Sequence, residues 1–390
     1  MKDIYIVEAV RTPVGKYKGS LAGVRADHLG AHLINEVVRR AGIEAAEVDD
    51  VIFGCVTQVG EQSANIARTA LLGAGWPAAI PGLAIDRKCG SGEVAVHLAA
   101  GMIASGAAQV VVAGGAENMS RVRMGGNREI YGEAFGWMAS DHWELTSQGE
   151  AAERVADKWE LSRAQLDAYA VESHRRAAAA AQAGWFEREI APVPVAELME
   201  RGYAEPVPEL LSADETIRPG TNPEKLATLK TSFRENGKLS AGNSSQISDG
   251  AAVLLLMSGE AVDRLGVKPR ARIRAFTTVG SDPTLMLTGP VAATRKVLEM
   301  TGLGVDDIDL FEVNEAFASV PLMWAQELGV PQERLNVNGG AIALGHPLGA
   351  SGARIMTSLL HELERRGARY GLQAICCAGG MGTATIIERM

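Results

Sequence analysis

The sequence is poor in cysteine: four in 390 residues, two of which, Cys376 and Cys377, are neighbours. So few thiols make no disulfide framework, and this points to a reducing compartment. No run approaches the roughly 18 apolar residues that a membrane-spanning helix requires. The opening MKDIYIVEAVRTP reads as the approach to a strand, not as a charged-then-apolar leader. Basic residues are the minority charge, 38 against 47 acidic, and the net charge of −9 argues against non-specific nucleic-acid binding. There is no G-x-x-x-x-G-K-[ST] and no G-x-G-x-x-G after a strand, so the signature of nucleotide-phosphate cradling is missing. Neither C-x-x-C nor H-E-x-x-H occurs, so no metal site is expected. The expectation is a soluble, cytoplasmic protein with no membrane insertion and no nucleic-acid partner.

Hydrophobic residues make up 47% of the chain, an ordinary globular share, whereas its 44 glycines exceed the usual ~7%. Strand-length apolar runs alternate with amphipathic helical stretches, which is the α/β signature. Val51–Val56 follows Asp49-Asp50, and Val110–Ala113 runs up to a Gly-Gly pair. An alanine-rich helical pattern, Gly92–Ser105, lies between them. From about 120 to 240 the chain turns polar, with a helix around Ser162–Ala183 and prolines at Pro192, Pro194, Pro206, Pro208, Pro219 and Pro223. That stretch reads as a long insertion.

An internal repeat is the most informative feature. Ala41-Gly42-Ile43 with Val48–Val51 resembles Thr301-Gly302-Leu303 with Val305–Ile308; Ser91-Gly92 resembles Ser351-Gly352; Val112–Gly115 resembles Cys377–Gly380. The pairs keep their order at a nearly constant offset of about 260 residues, so the chain reads as two copies of one α/β module.

The two copies differ where chemistry is possible. Asp86–Gly92 places Cys89 at a helix start, where unsatisfied N–H groups, Arg87 and Lys88 are expected to favour thiolate. A free cysteine is also a common buried, inert residue, and position alone leaves both readings open. The matching loop, Asn336–Gly352, carries His346 before Pro347, hence in a rigid loop rather than in the helix. If both helix starts face one crevice, a histidine base stands beside a cysteine nucleophile. Cys376 and Cys377 end the apolar run Leu372–Ile375 beside a glycine turn, and Asn314 follows the run Ile308–Val313 at another strand end.

These motifs resemble the thiolase family over essentially the whole chain. The match comprises Val10–Lys16, Cys89–Gly92, Gly114–Ser120, Asn314–Ala318, Gly345–Gly349 and the carboxyl-terminal Cys–Gly turn. The resemblance implies a five-layered αβαβα fold from two similar halves plus a loop domain, assembled as a homodimer or homotetramer. By the same likeness, residues 1–119 with 240–268 form the first half, 120–239 the loop domain for CoA, and 269–390 the second half.

The implied reaction is thiolytic cleavage of a 3-ketoacyl-CoA, with CoA and acyl-CoA as substrates and no permanently bound cofactor. Cys89 is implied as nucleophile, His346 as base, Cys376 as acid/base and Asn314 as holder of a water in an oxyanion hole. Cys376 is preferred to Cys377 because small residues follow it at the second, fourth and sixth positions: Ala378, Gly380 and Gly382. Arg218 matches a nucleotide-side arginine, Ser245 a pantetheine-side serine, and Phe233, Met286 and Phe317 pocket-lining positions. The Gly242–Gly250 and Gly60–Gln62 segments look like degradative, β-oxidation members, including those that handle bulky acyl chains. An acetyl-CoA acetyltransferase is the close alternative. A non-catalytic acyl-CoA-binding protein is a more distant one, as is a decarboxylating condensing enzyme, whose second catalytic cysteine is lacking.

Overall fold

A computed structural model describes residues 3–128, 132 and 134–390. Its strands are β1 (Ile4–Arg11), β2 (Gly15–Lys16), β3 (Asp50–Gly54), β4 (Gly82–Ile85), β5 (Val110–Asn118), β6 (Ser248–Ser258), β7 (Ala271–Gly280), β8 (Leu310–Val313), β9 (Tyr370–Cys377) and β10 (Met381–Arg389). They run β4-β3-β5-β6-β1-β7-β10-β9-β8, with β2 on β6. The order β3-β5-β6-β1 reappears as β8-β9-β10-β7, each with one parallel pair followed by two antiparallel pairs. The two sets meet where β1 pairs with β7 at Tyr5–Arg272 and Ile6–Ala271.

Three apolar layers follow from this pairing. Helix Ala26–Ala41 buries Leu29, Leu33 and Val37 on the outer face of the first set, against Val51, Phe53 and Val253. Helices Ser91–Ser105 and Leu348–Arg366 lie together in the middle, packing Val96, Ile103, Met356 and Leu363 against Ile6, Ile52, Leu254 and Ile387. Helix Gly289–Thr301 covers the second set, where Val297 joins Phe311, Leu372 and Ile386. Helix, sheet, helix, sheet and helix thus stack as five layers. β5 and β6 are buried throughout, which explains their unbroken apolar runs.

The polar insertion contributes Ala151, Leu166 and Tyr169 to the second outer layer. Its helix Arg163–Gln182 starts at a capping box of Ser162 and Gln165. Buried Arg11, at the end of β1, ties it down by donating to Glu189 Oε1 at 2.5 Å and to both Asp214 oxygens at 2.7 and 3.0 Å.

One strand departs from its expected length. Gly114 and Gly115 do not end the run; β5 continues through them to Asn118. The reason is proximity: a Cβ on either glycine would strike backbone, Ala252 beside Gly114 and Gly349 beside Gly115. Gly115→Ala is therefore expected to cost at least about 1–3 kcal/mol, because the obstructing atoms are main chain and cannot rotate away. Urea unfolding checks this, and an unchanged midpoint would refute the contact.

Candidate active site

Cys89 sits on a tight turn between β4 and helix Ser91–Ser105. Lys88 adopts φ 51°, a left-handed conformation that costs a non-glycine residue about 1–3 kcal/mol. Asp86 braces it, accepting from the Lys88 N–H at 2.7 Å and pairing with its ammonium at 2.5 Å. The turn leaves Cys89 3% exposed. Burial pushes its thiol up to about 12, against the opposing pull of its own N–H, Lys88 and the Ala378 N–H. The expected resting thiolate is thus corrected. Water is excluded from the helix start, Lys88 is paired with Asp86, and Arg87 points at Met381 Sδ, 3.7 Å away.

His346 lies in the loop before helix Leu348–Arg366, as Pro347 dictates. Its N–H donates to Ser248 Oγ at 2.7 Å and to the Gln246 carbonyl at 3.1 Å, and its Nδ1 lies 2.6 Å from Ser351 Oγ. Asn314 Nδ2 stands 3.3 Å from Nε2. Burial, reinforced by Arg354, lowers the ring to about 3, so His346 is neutral and can accept a proton.

The two helix starts touch through backbone. A Cβ on Gly54, Gly92 or Gly115 would meet the Gly349 carbonyl, and one on Gly352 would meet Glu93. Cys89 and Leu348 share one apolar cluster with Val56, Met119, Ile355, Ile375 and Cys377. Buried Glu117, on β5, fastens the junction. It accepts from the N–H groups of Val56 and Thr57 at 2.8 and 2.9 Å, from Gly349 N–H at 2.9 Å and from Gln62 Nε2 at 3.0 Å. Sequence reasoning missed Glu117, although a glutamate inside an otherwise apolar strand was a visible signal. It also missed Ser248, Gln246 and Ser351 around His346.

Both cysteines at the end of β9 lie within electrostatic range of Cys89, and burial raises both well above an ordinary thiol. Cys377 packs behind the nucleophile turn, against Gly90, with Thr383 beside it. Cys376 faces the second outer layer with Ala378. Cys55 lies 3.9 Å from Glu117 Oε1, and all four cysteines are free.

Two of the residues matched to CoA contact the segments that hold His346 and carry Asn314. Arg218 is exposed and donates to Gln246 Oε1 at 2.8 Å, so it adjoins the strip that holds His346. The Ser245 N–H donates to the Ala316 carbonyl, two residues past Asn314. Phe233, 42% exposed, meets buried Phe317 edge-on at 5.5 Å. Met286 is buried in the cluster that contains Phe317. Among the described residues no group of three or more His, Cys, Asp or Glu is placed to hold a metal ion, and no helix is long and apolar enough to cross a membrane.

Two related modules bury a thiol and a neutral histidine on loops whose helix starts meet, an arrangement suited to acyl transfer. The thiolase amino-terminal domain matches residues 4–260 and the carboxyl-terminal domain residues 267–389. A steroid 3-ketoacyl-CoA thiolase of Mycobacterium tuberculosis is 45% identical, covering 100% of this chain and 95% of its own length. A 3-ketoacyl-CoA thiolase of Bacillus subtilis is 44% identical over the full length of both. An acetyl-CoA acetyltransferase of Pseudomonas aeruginosa is 43% identical, again over the full length of both. The crystal structure of a Bacillus anthracis acetyl-CoA acetyltransferase, 39% identical, superposes with a TM-score of 0.90 over 100% of this chain and 99% of that one. The chain belongs to the thiolase family. It is an acyltransferase that works on CoA thioesters.

Because burial holds Cys89 protonated, its alkylation by iodoacetamide is expected to keep accelerating above pH 9. A plateau reached near neutral pH would instead reveal a preformed thiolate. Acid should also weaken the fold. His346 and His361, both lowered to about 3, bind protons in the unfolded chain below about 6.5 but not in the native one. Their contribution is complete above that value and is lost as pH falls towards 3. The urea midpoint should therefore drop between pH 6.5 and 4, and less steeply in His361→Gln. An equal slope in that variant would contradict the assignment.

Proposed function

We propose that the protein is a degradative 3-ketoacyl-CoA thiolase of the β-oxidation type. The observation that carries this reading is that the helix starts following the buried Cys89 thiol and the neutral His346 meet backbone to backbone. His346 Nε2 takes the thiol proton as sulfur attacks the 3-keto carbon of the substrate. The C2–C3 bond breaks, its electrons pass to C2 of the departing acetyl-CoA, and Cys376 supplies the proton that completes it. The acyl group stays on Cys89 as a thioester. His346 passes its proton back to the Cys376 thiolate. Incoming CoA then gives its thiol proton to His346, attacks the thioester and leaves as acyl-CoA, and His346 returns that proton to the released Cys89 thiolate.

Negative charge on the oxygens needs aimed donors. The Cys89 and Ala378 N–H groups, which pull the Cys89 thiol down against the effect of its burial, form one such site. His346 with a water on Asn314 forms the other. Arg218 and Ser245 take the nucleotide and pantetheine ends of CoA, and Phe233, Met286 and Phe317 bound the acyl side. A local cation is required because the protein as a whole is acidic.

Residues 1–119 with 240–268 act as the nucleophile half, 120–239 as the CoA-binding loop domain and 269–390 as the base-bearing half. Two copies associate through β4, an edge strand whose Leu83 is 41% exposed. Four free thiols fit a cytoplasmic setting.

An acetyl-CoA acetyltransferase is the second reading, favoured by the solved relative of that name at TM-score 0.90. A chain-length series of kcat/KM separates the two. The proposal expects 3-ketoacyl-CoA esters longer than acetoacetyl-CoA to be cleaved about tenfold more efficiently, since a methylene or two in an apolar pocket is worth that much. Highest efficiency with acetoacetyl-CoA would favour the alternative, and turnover of neither would leave a binding protein.

A further inference from the structure

The repeated Ser-Gly pairs at the two helix starts have so far no part in the chemistry. Ser351 is fully buried, and its hydroxyl has two neighbours. One is the Pro347 carbonyl, which it reaches as a donor at 2.8 Å; the other is His346 Nδ1 at 2.6 Å. A serine that bonds back one helical turn is commonplace. The second partner is what sets Ser351 apart, because it is the ring proposed as base.

A hydroxyl has one proton. Donated to Pro347, it leaves the oxygen free to accept, so the proton of the neutral ring sits on Nδ1. The lone pair then lies on Nε2, on the side where the Asn314 amide approaches at 3.3 Å. We propose that Ser351 is a positioning residue that fixes the His346 tautomer, holding Nδ1 protonated and Nε2 free to take the proton of Cys89. This rests on the thiolase reading above and deepens it.

The first half supports the idea independently. Ser91, the repeat counterpart, accepts from the Arg87 N–H at 2.8 Å and donates to the Lys88 carbonyl at 2.7 Å. It thereby spans the left-handed turn that presents Cys89. Each helix-start serine clamps the loop that carries a reacting side chain, once through backbone and once through an imidazole. The duplicated module has kept the same hydroxyl for two different loads.

The test uses the full-length protein labelled with [15N]histidine, with His346→Asn to assign the signal. Nitrogen shifts should show His346 protonated on Nδ1 at neutral pH, and an Nε2-protonated ring would overturn the proposal. In Ser351→Ala, kcat for thiolysis is expected to fall about 10–100-fold, the usual cost of losing a hydrogen-bonded supporting partner, with KM within twofold. Alkylation of Cys89 by iodoacetamide at neutral pH should slow in parallel. A variant that keeps both rates within twofold of the parent would refute the role. If the parent protein cleaves no 3-ketoacyl-CoA, the thiolase reading fails, while the nitrogen shifts and alkylation rates still judge Ser351.

Discussion

The backbone-to-backbone meeting of two helix starts is the constraint on which the rest of this molecule depends. The Gly349 carbonyl lies in a seat made by Gly54, Gly92 and Gly115, where no side chain fits. Glu117 gathers N–H groups from the loop after β3 and from Gly349, so one buried carboxylate joins both halves. Its burial is costly, and that cost is met only by saturating it with donors. Separate the helix starts by the width of one methyl group and the loops that carry Cys89 and His346 move apart.

The same closeness sets the electrostatics. Helices Ser91–Ser105 and Leu348–Arg366 press together in the middle layer, so neither Cys89 nor His346 sees bulk water. Burial disfavours the charged form of each: the thiol is driven up and the imidazole down. At rest both groups are therefore uncharged, a thiol and a neutral imidazole. On the proposed reading, charge separates only when a substrate carbonyl arrives, so activation belongs to the complex rather than to the free enzyme.

Much of this architecture was legible from residues alone. The repeat is real in three dimensions: β5, which contains one Gly-Gly pair, and β9, which runs up to the turn with the other, hold equivalent places in the two strand orders. The asymmetry between halves drew attention to Cys89 and His346, and the structure brings their loops together. What escaped was tertiary. The ionisation of Cys89 could not be read from a helix start, because the field of a dipole is local in sequence and burial is not. Gly114-Gly115 read as a strand end, since nothing nearby in the chain announces the carbonyl of Gly349. The proximity of Cys377 to Gly90 was hidden for the same reason, as adjacent strand residues face opposite sides yet both lie close to one turn.

The central claim is that the join between halves delivers substrate to one particular thiol. Peptide mass spectrometry after rapid mixing with acetoacetyl-CoA and acid quenching addresses it most directly. The account predicts an acetyl thioester on the peptide containing Cys89, and its loss when Cys89→Ser is used. An acetyl group on Cys376 or Cys377 instead, or retained in that variant, would contradict it.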